Sequence, residues 1–191
     1  GVVRGDDGLY HLFVSEMVEG GLRGWTTKSQ IIHAIAKDPL DVFVKQAVTL
    51  PPWAHNASPL RAPPNHLVNG TRPWYLFHIG TGFLHMAFKP EGPWVELPSI
   101  TCNNPAPMFH NNGTLYCGCN EGAFRVYRAY DPTQEDAWEL VSTIDLSGFN
   151  VNKYIRAEDP YLWMDPKGNW HFLAHVYDYR DGWPPNPNQT E

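Results

Sequence analysis

A repeat of about 50 residues constrains the fold more than any other feature of this chain. Each unit begins with a polar dipeptide followed by a small residue or proline, and then leads through a turn to an aromatic strand. The three clearest units begin at His55-Asn56-Ala57, Asn104-Pro105-Ala106 and Glu158-Asp159-Pro160, so their starts are 49 and 54 residues apart. This spacing suits four short strands per unit, and its recurrence predicts the blades of a β-propeller.

The rest of the chain carries the pattern of an all-β fold. Short aromatic and β-branched runs recur between Gly, Pro and Asn turns, and only residues 25–36 could be taken for a helix. Residues 7–13 look like the second strand of an earlier blade whose first strand is missing. We therefore expect a single incomplete propeller domain of roughly three and a half blades, approximately residues 1–50, 54–98, 103–145 and, in part, 156–191.

Charge and hydropathy argue against two classes of partner. The formal net charge is -6, and the Lys and Arg residues are scattered, so no basic stripe is present to bind a phosphate backbone. No apolar run approaches the roughly 20 residues that a membrane-spanning helix needs. We therefore expect neither nucleic acid nor a membrane as a partner.

Other features indicate a secreted glycoprotein. The chain starts at Gly1 without a leader pattern, so we expect its true beginning to have been removed by processing or truncation. Four glycosylation sequons are present, each in a loop-like context, and they begin at Asn56, Asn69, Asn112 and Asn188.

The three cysteines leave two arrangements open. Cys102, Cys117 and Cys119 are an odd set without a second cluster at metal-ligand spacing. Cys117 and Cys119 stand two apart in a strand-like run, so their side chains are expected to share one face of it. The sequence is consistent with one disulfide, for which Cys102–Cys117 is the candidate, and equally with cysteines that only pack in the core.

Taken in order, the unit starts and the strands around them resemble the arabinanase, invertase and levansucrase superfamily, and most closely its family 43-type glycoside hydrolases. The resemblance covers most of the chain. It is carried by Gly8 to Met17 (GLYHLFVSEM), His55-Asn56, Asn104-Pro105-Ala106-Pro107, and Glu158-Asp159-Pro160-Tyr161-Leu162-Trp163 with His171 and His175. It implies an all-β, five-bladed β-propeller, of which this chain would be a fragment, with the first strand of each blade lining a central funnel.

The resemblance also implies a catalytic set. Members of the family use a general-acid glutamate, a general-base aspartate and a second aspartate that tunes the acid, each on the first strand of a different blade, and they invert the anomeric centre. Glu158 takes the position of the acid, because it opens Glu-Asp-Pro where relatives carry Glu-Gly-Pro. The base would lie upstream of Gly1, and Asn103 and Asn104 stand where the tuning aspartate is expected.

Two physical points bear on Glu158. An inverting pair has its carboxyl groups about 6.5 to 9.5 Å apart, so the adjacent Asp159 is not expected to be the partner of Glu158. Successive side chains of a strand point to opposite faces, so only one of the two is expected to face the funnel. Arg156, two residues away on the same face, could instead hold Glu158 in a structural ion pair, and both roles stay open.

Ligand contacts are expected at the blade starts and on aromatic side chains. His55 and Asn56 could donate hydrogen bonds to sugar hydroxyls, whereas Trp53, Trp74 or Trp163 could stack on a sugar or pack between blades. No cofactor is required, and the resemblance allows a calcium ion in the channel with His175 beside it. The predicted substrate-binding residues are His55, Asn56, Asn104, Arg156 and Trp163.

The sequence thus predicts a secreted, glycosidase-like propeller with a carbohydrate partner. As an enzyme, it would hydrolyse the glycosidic bonds of plant- or algal-type polysaccharides or oligosaccharides with inversion. The alternatives are a catalytically inactive carbohydrate-binding propeller and a sugar-transferring relative of the levansucrases.

Overall fold

Short antiparallel strands make up nearly all of the regular structure. The computed structural model describes residues 1–19, 21–120, 123–145 and 155–178, without the side chains of residues 22, 155, 156, 177 and 178. Within these ranges the strands form three four-stranded sheets and one two-stranded sheet. The all-β prediction is confirmed.

The sheets follow one another along the chain. The first contains β1 (Val2–Arg4), β2 (Tyr10–Met17), β3 (Ser29–Ala36) and β4 (Val44–Leu50). The second contains β5 (Ala54–Arg61), β6 (Trp74–Gly80), β7 (Leu84–Ala87) and β8 (Val95–Glu96). The third contains β9 (Ala106–Phe109), β10 (Leu115–Asn120), β11 (Phe124–Ala129) and β12 (Glu139–Ile144), and the last pairs β13 (Ile155–Met164) with β14 (Trp170–Asp178).

Helical structure is confined to one short insertion between β2 and β3. A 3-10 turn (Gly21–Gly24) runs into the single turn α1 (Trp25–Lys28). The described part of the chain has no helix with the length and apolar character needed to cross a bilayer. In the segment 25–36, which could be taken for a helix from the sequence, only residues 25–28 are helical and the rest is strand β3.

The first sheet is complete, so the expectation that its first strand is missing is wrong. β1 pairs antiparallel with β2, with Val2 opposite Leu12 and Arg4 opposite Tyr10. Three residues are too few for strand alternation to be recognised in a sequence. Only the pairing with β2 shows that they form a strand.

Strand β6 shows how the sheets stack. Its residues 74–79 are all buried, although side chains alternate between the two faces of a strand. Trp74 and Leu76 pack in a cluster with residues of the first sheet, whereas Tyr75 and Phe77 pack with residues of the third. Each such side chain contributes about 1.5 to 3 kcal/mol of burial. The core therefore lies between neighbouring sheets, which is the packing of propeller blades.

The first strand of each sheet lies toward its neighbours, and the fourth lies outside. β5 contacts β1, β2 and β3 on one side and β9 on the other, and β13 contacts β9 and β10. The fourth strands β4, β8 and β12 are largely exposed. The starts of β5, β9 and β13 consequently approach one another, and these are the segments that the sequence repeat marks.

The last sheet is covered on one face. Leu162 of β13 packs with Met108 and Val126 of the third sheet. On the other face, Tyr161 and Leu173 are each 61% exposed. Among the described residues, this face is the apolar surface that an end blade presents.

The cysteine cluster lies in the core between the second and third sheets. Cys102 is bonded to Cys119, and Cys117 is a buried free thiol. The Cys117 sulfur lies 3.9 Å from each of the other two sulfurs, and burial raises the pKa of its thiol. The candidate bridge Cys102–Cys117 is therefore wrong. Because Cys117 and Cys119 point to the same face, the sequence could not distinguish them.

Candidate functional site

A residue with left-handed backbone conformation recurs in or just before three inner strands. Asn56, Asn104 and Asp159 have φ angles of 54°, 50° and 51°, and each is followed by alanine or proline. The strand register shifts across Asn56 in β5, between His55 and Ser58, and across Asp159 in β13, between Glu158 and Tyr161. Asn and Asp tolerate this conformation better than other residues with a side chain, and such bulges re-aim side chains. The polar dipeptides of the repeat are therefore bulged corners that present polar groups inward.

Two of these corners are joined by their side-chain amides. Asn56 Nδ2 donates a hydrogen bond to Asn104 Oδ1, and Asn104 is 6% exposed. The Asn56 backbone N–H donates to Ser15 Oγ at 3.0 Å, and Ser58 Oγ donates to the Pro105 carbonyl at 3.0 Å. The sequon at Asn56 was expected to lie in a loop, but it lies inside β5. Two predicted ligand-binding residues are brought together as an uncharged pair.

The third corner carries two carboxylates and an imidazole. The ligand atoms of Glu158, Asp159 and His175 all lie within 4.8 Å of one another, and His175 Nδ1 lies 3.6 Å from Asp159 Oδ2. Glu158 is half-buried, whereas the other two side chains are exposed. The expectation that only one of the two carboxylates faces the funnel is wrong, because the left-handed Asp159 breaks the alternation of the strand.

The spacing of the two carboxylates limits what they can do together. At less than 4.8 Å, Glu158 and Asp159 are closer than the roughly 6.5 to 9.5 Å that an inverting pair needs to admit a water molecule. Asp159 is thus not the catalytic partner of Glu158 in an inverting reaction, as the sequence predicted.

The donor atoms of this cluster decide which metal ion it could hold. Calcium takes six to eight oxygen ligands, whereas the cluster offers two carboxylates and one imidazole nitrogen, which suits a transition metal better. A glutamate that coordinates a cation also cannot carry the proton of a general acid. The residues present therefore fit a calcium ion poorly.

His55 lies between this cluster and an aromatic pair. Its ring centroid is 5.5 Å from that of Trp25, which in turn lies 6.0 Å from the ring of Trp53. Burial lowers the pKa of His55, and the nearby Asp159 carboxylate offsets part of that effect. His55 Nδ1 is buried and has no hydrogen-bond partner among the described residues. The ring is therefore held mainly by aromatic contacts.

The third sheet fixes the backbone beside Glu158. Asn120 Nδ2 donates to the Ala157 carbonyl at 3.0 Å, and the Asn120 N–H donates to the Asn103 carbonyl at 2.9 Å. Of the two asparagines at the expected tuning position, Asn103 is exposed and Asn104 is buried. Sequence reasoning missed Asn120, since it lies at the end of a second strand with no motif around it.

The remaining predicted residues are placed less centrally. Trp163 stacks on His171 with 4.9 Å between ring centroids, at the end of β13 away from Glu158. The side chain of Arg156 lies outside the described residues, so its predicted ion pair with Glu158 stays a prediction. Trp74 is a core residue, whereas Trp53 is half-buried beside Trp25.

Blade-like sheets that stack with their polar corners inward define part of a β-propeller, and solved structures place that fold more narrowly. No protein-family model and no curated protein matches the chain significantly. The chain is similar in structure to the GH43 BlXynB protein from Bacillus licheniformis, with a TM-score of 0.61 and 11% identity over 95% of this chain and 37% of that one. The fold is thus of the family 43 glycoside hydrolase type, as predicted.

Two further solved structures agree. The GH43_1 enzyme from Xanthomonas citri, crystallised with xylotriose, has a TM-score of 0.58 and 11% identity over 95% of this chain and 69% of that one. A putative exo-β-1,3-galactanase from Bifidobacterium bifidum has a TM-score of 0.56 and 12% identity over 87% of this chain and 58% of that one. The chain thus spans between about one third and two thirds of the length of these three proteins.

Proposed function

We propose that this chain is part of a glycoside hydrolase, with Glu158 as the general acid. The observation that carries the proposal is the position of Glu158: a half-buried carboxylate on an inner strand, at a bulged corner, with the side chains of Asp159 and His175 beside it. The fold type of the similar structures supports the same class.

In this mechanism Glu158 donates its proton to the oxygen of the leaving group as the glycosidic bond breaks. The Asn56–Asn104 amides and His55 offer hydrogen bonds to sugar hydroxyls, and the bond from Asn120 to the Ala157 carbonyl holds the backbone next to the acid. With inversion, a water molecule attacks from the opposite face, activated by a base about 6.5 to 9.5 Å from Glu158. We expect that base upstream of Gly1.

A binding module without catalysis is the second candidate, and one observation favours it. Asn103 and Asn104 stand where a charged aspartate is expected to tune the acid, and Asn104 pairs with the amide of Asn56. Neutral amides can bind sugar hydroxyls, but they supply no charge to adjust Glu158. In this case the same funnel would hold a glycan without cleaving it.

Two probe oligosaccharides test both candidates: xylotriose and β-1,3-galactotriose, which represent the glycans named for the similar structures. In the full-length protein, Glu158→Gln should keep the shape of the side chain and remove its proton. Turnover of a cleaved probe should fall by about 10² to 10⁴, with less loss for an activated aryl glycoside, because its leaving group needs little protonation. Glu139→Gln is the matched control, because Glu139 is an exposed glutamate on an outer strand, where it pairs with Arg128.

The outcomes separate the candidates. Normal turnover of Glu158→Gln would refute the role of the acid. Probe binding without turnover, unchanged in Glu158→Gln and abolished in His55→Ala, would establish the binding module instead. Failure to bind or cleave either probe would refute both.

We also propose that the protein is secreted and glycosylated. Asn69 and Asn112 are exposed in turns, and a disulfide joins Cys102 to Cys119. Sequons on an exposed surface and a structural disulfide are both typical of an oxidising compartment. The sequon at Asn188 lies outside the described residues.

A further inference from the structure

We propose that a polar groove, on the side of the sheets opposite the bulged corners, seats the first sugars of two N-linked glycans attached to Asn69 and Asn112. The inference rests on the proposed secretion and glycosylation, and it is independent of hydrolase activity. The groove has a volume of about 420 Å³, within the range of about 300 to 1,000 Å³ of small-molecule sites. It is lined mainly by polar residues, among them Asn65, Asn69, Asn112, Tyr130, Asp131 and Thr133.

The groove lies away from the candidate functional site. Its residues belong to the connections β5–β6, β9–β10 and β11–β12. The bulged corners lie near the starts of β5 and β9, whereas the first two of these connections follow the ends of those strands. Asn56 is separated from the end of β5 at Arg61 by about 15 Å of extended chain. Sugars in the groove would therefore leave the corner that carries Glu158 accessible.

Tight turns expose the asparagine of both sequons. Val68 and Thr71 exchange two backbone hydrogen bonds of 2.9 and 3.0 Å around Asn69. In the other turn, Asn112 Oδ1 accepts the Thr114 N–H at 3.0 Å, and Nδ2, the atom that carries the sugar, takes no part in that bond. Both asparagine residues are exposed. Each can therefore carry a glycan without disturbing the core.

The sequon at Asn56 supplies the contrast. Asn56 lies inside β5, and its Nδ2 donates to Asn104 Oδ1. Because Asn104 is 6% exposed, a sugar on Asn56 Nδ2 would have to displace a buried side chain. We therefore expect the folded protein to carry Asn56 unmodified.

The two connections that carry the exposed sequons are tied to each other. Asn65 Nδ2 donates to the Asn111 carbonyl at 2.9 Å. The buried His66 ring lies between the two connections, with Nδ1 donating to the Gly113 carbonyl at 2.9 Å and Nε2 2.8 Å from the Tyr75 hydroxyl. The groove between the sequons is thus formed before a sugar enters, which lowers the entropic cost of holding one.

The groove offers both kinds of contact that an N-acetylglucosamine unit makes. Asp131, Thr133 and Gln134 line it and offer donors and acceptors to hydroxyl and acetamide groups. Tyr130 also lines it and is 66% exposed, with the Arg128 guanidinium 5.4 Å from its ring centroid. An aromatic ring in this position can pack against the apolar face of a sugar.

The test uses full-length protein purified from the culture medium of eukaryotic cells. Peptide N-glycosidase leaves aspartate at each modified site, so peptide mapping before and after treatment should show sugar at Asn69 and Asn112 and none at Asn56. Tyr130→Ala should lower the melting temperature of the glycosylated protein by about 2 to 4 °C more than that of the treated protein, because only the former loses a sugar contact. Tyr161→Ala is the matched control: this tyrosine is 61% exposed on the last sheet, and its loss should shift both forms equally.

Each other outcome overturns a defined part of the proposal. Sugar at Asn56, or at fewer than both of Asn69 and Asn112 in the secreted protein, would overturn the site assignment. Equal shifts for Tyr130→Ala in the two forms would mean that the glycans extend into solvent, and the groove would not be their seat. Retention of the protein inside the cells would refute the proposed secretion and the inference with it. The hydrolase proposal is tested separately by Glu158→Gln.

Discussion

His78 should make the stability of this protein depend on pH between about 4 and 6.5. The side chain is fully buried in β6, with Nδ1 donating to the Ile79 carbonyl at 3.1 Å and Nε2 3.1 Å from Nδ1 of His85. The pKa of His78 is lowered to about 4, chiefly by burial and in smaller part by His85 beside it, while the Ile79 carbonyl and Glu96 offset part of the effect. Protonation of Nε2 would also set two donors against each other.

The sign and size follow from linkage. In the unfolded chain His78 has an ordinary pKa of 6.5, so between pH 6.5 and 4 the unfolded state binds more protons than the folded state. The stability linked to this group is complete above pH 6.5 and is lost as the pH falls toward 4. About 2.5 pH units at roughly 1.4 kcal/mol each correspond to a loss of about 3.5 kcal/mol, a large part of the 5 to 15 kcal/mol of a typical domain.

Urea unfolding at pH 7.5, 6.5, 5.5 and 4.5 measures the effect. His78→Asn keeps an N–H for the Ile79 carbonyl and removes the titration, so its free energy of unfolding should fall less steeply with acid than that of the wild type. Ile79→Val is the control for general destabilisation: it should lower the free energy by about 1 kcal/mol at every pH and keep the wild-type slope. Parallel pH profiles for wild type and His78→Asn would refute the reasoning.

Two further predictions concern the core and a turn. Cys102→Ser should lower the free energy of unfolding by about 3 kcal/mol, because it opens the loop closed by the bridge to Cys119. Cys117→Ser should keep that bridge, which a non-reducing peptide map detects. An equal loss of unfolding free energy in both variants would contradict the pairing. Gly80→Ala should lower the free energy of unfolding by at least about 2 kcal/mol in thermal unfolding, since Gly80 has a φ of 125° and a Cβ there would overlap the Trp53 carbonyl oxygen. A Gly80→Ala variant as stable as the wild type would show that this turn relaxes freely.

The sequence by itself determined the strands that alternate in the ordinary way. The second strands of the units, such as residues 74–79 and 115–120, are aromatic and β-branched runs between turns, and their strand character follows from local pattern. The repeat of polar dipeptides also located the inner corners correctly in the chain. Those two signals were sufficient for an all-β fold of propeller type, because each depends on residues close together in sequence.

The inner strands were the part that pattern reading described least well. β5, β9 and β13 contain proline, and left-handed Asn or Asp residues lie in or just before them, so neither alternation nor β-propensity identifies them as strands. For the same reason, the prediction that Glu158 and Asp159 point to opposite faces of the strand was wrong. Alternation assumes a regular strand, and the bulge at Asp159 turns its carboxylate toward Glu158.

Only the tertiary structure decided which distant groups meet. Asn56 and Asn104 are 48 residues apart in the chain and share a hydrogen bond, and Trp25 reaches His55 from an insertion in another sheet. Cys119 rather than Cys117 pairs with Cys102, although both point to the same side of β10. Sequence spacing fixes which face of a strand a residue occupies, but the stacking of one sheet on the next fixes which atoms lie within bonding distance, and that stacking depends on the whole core at once.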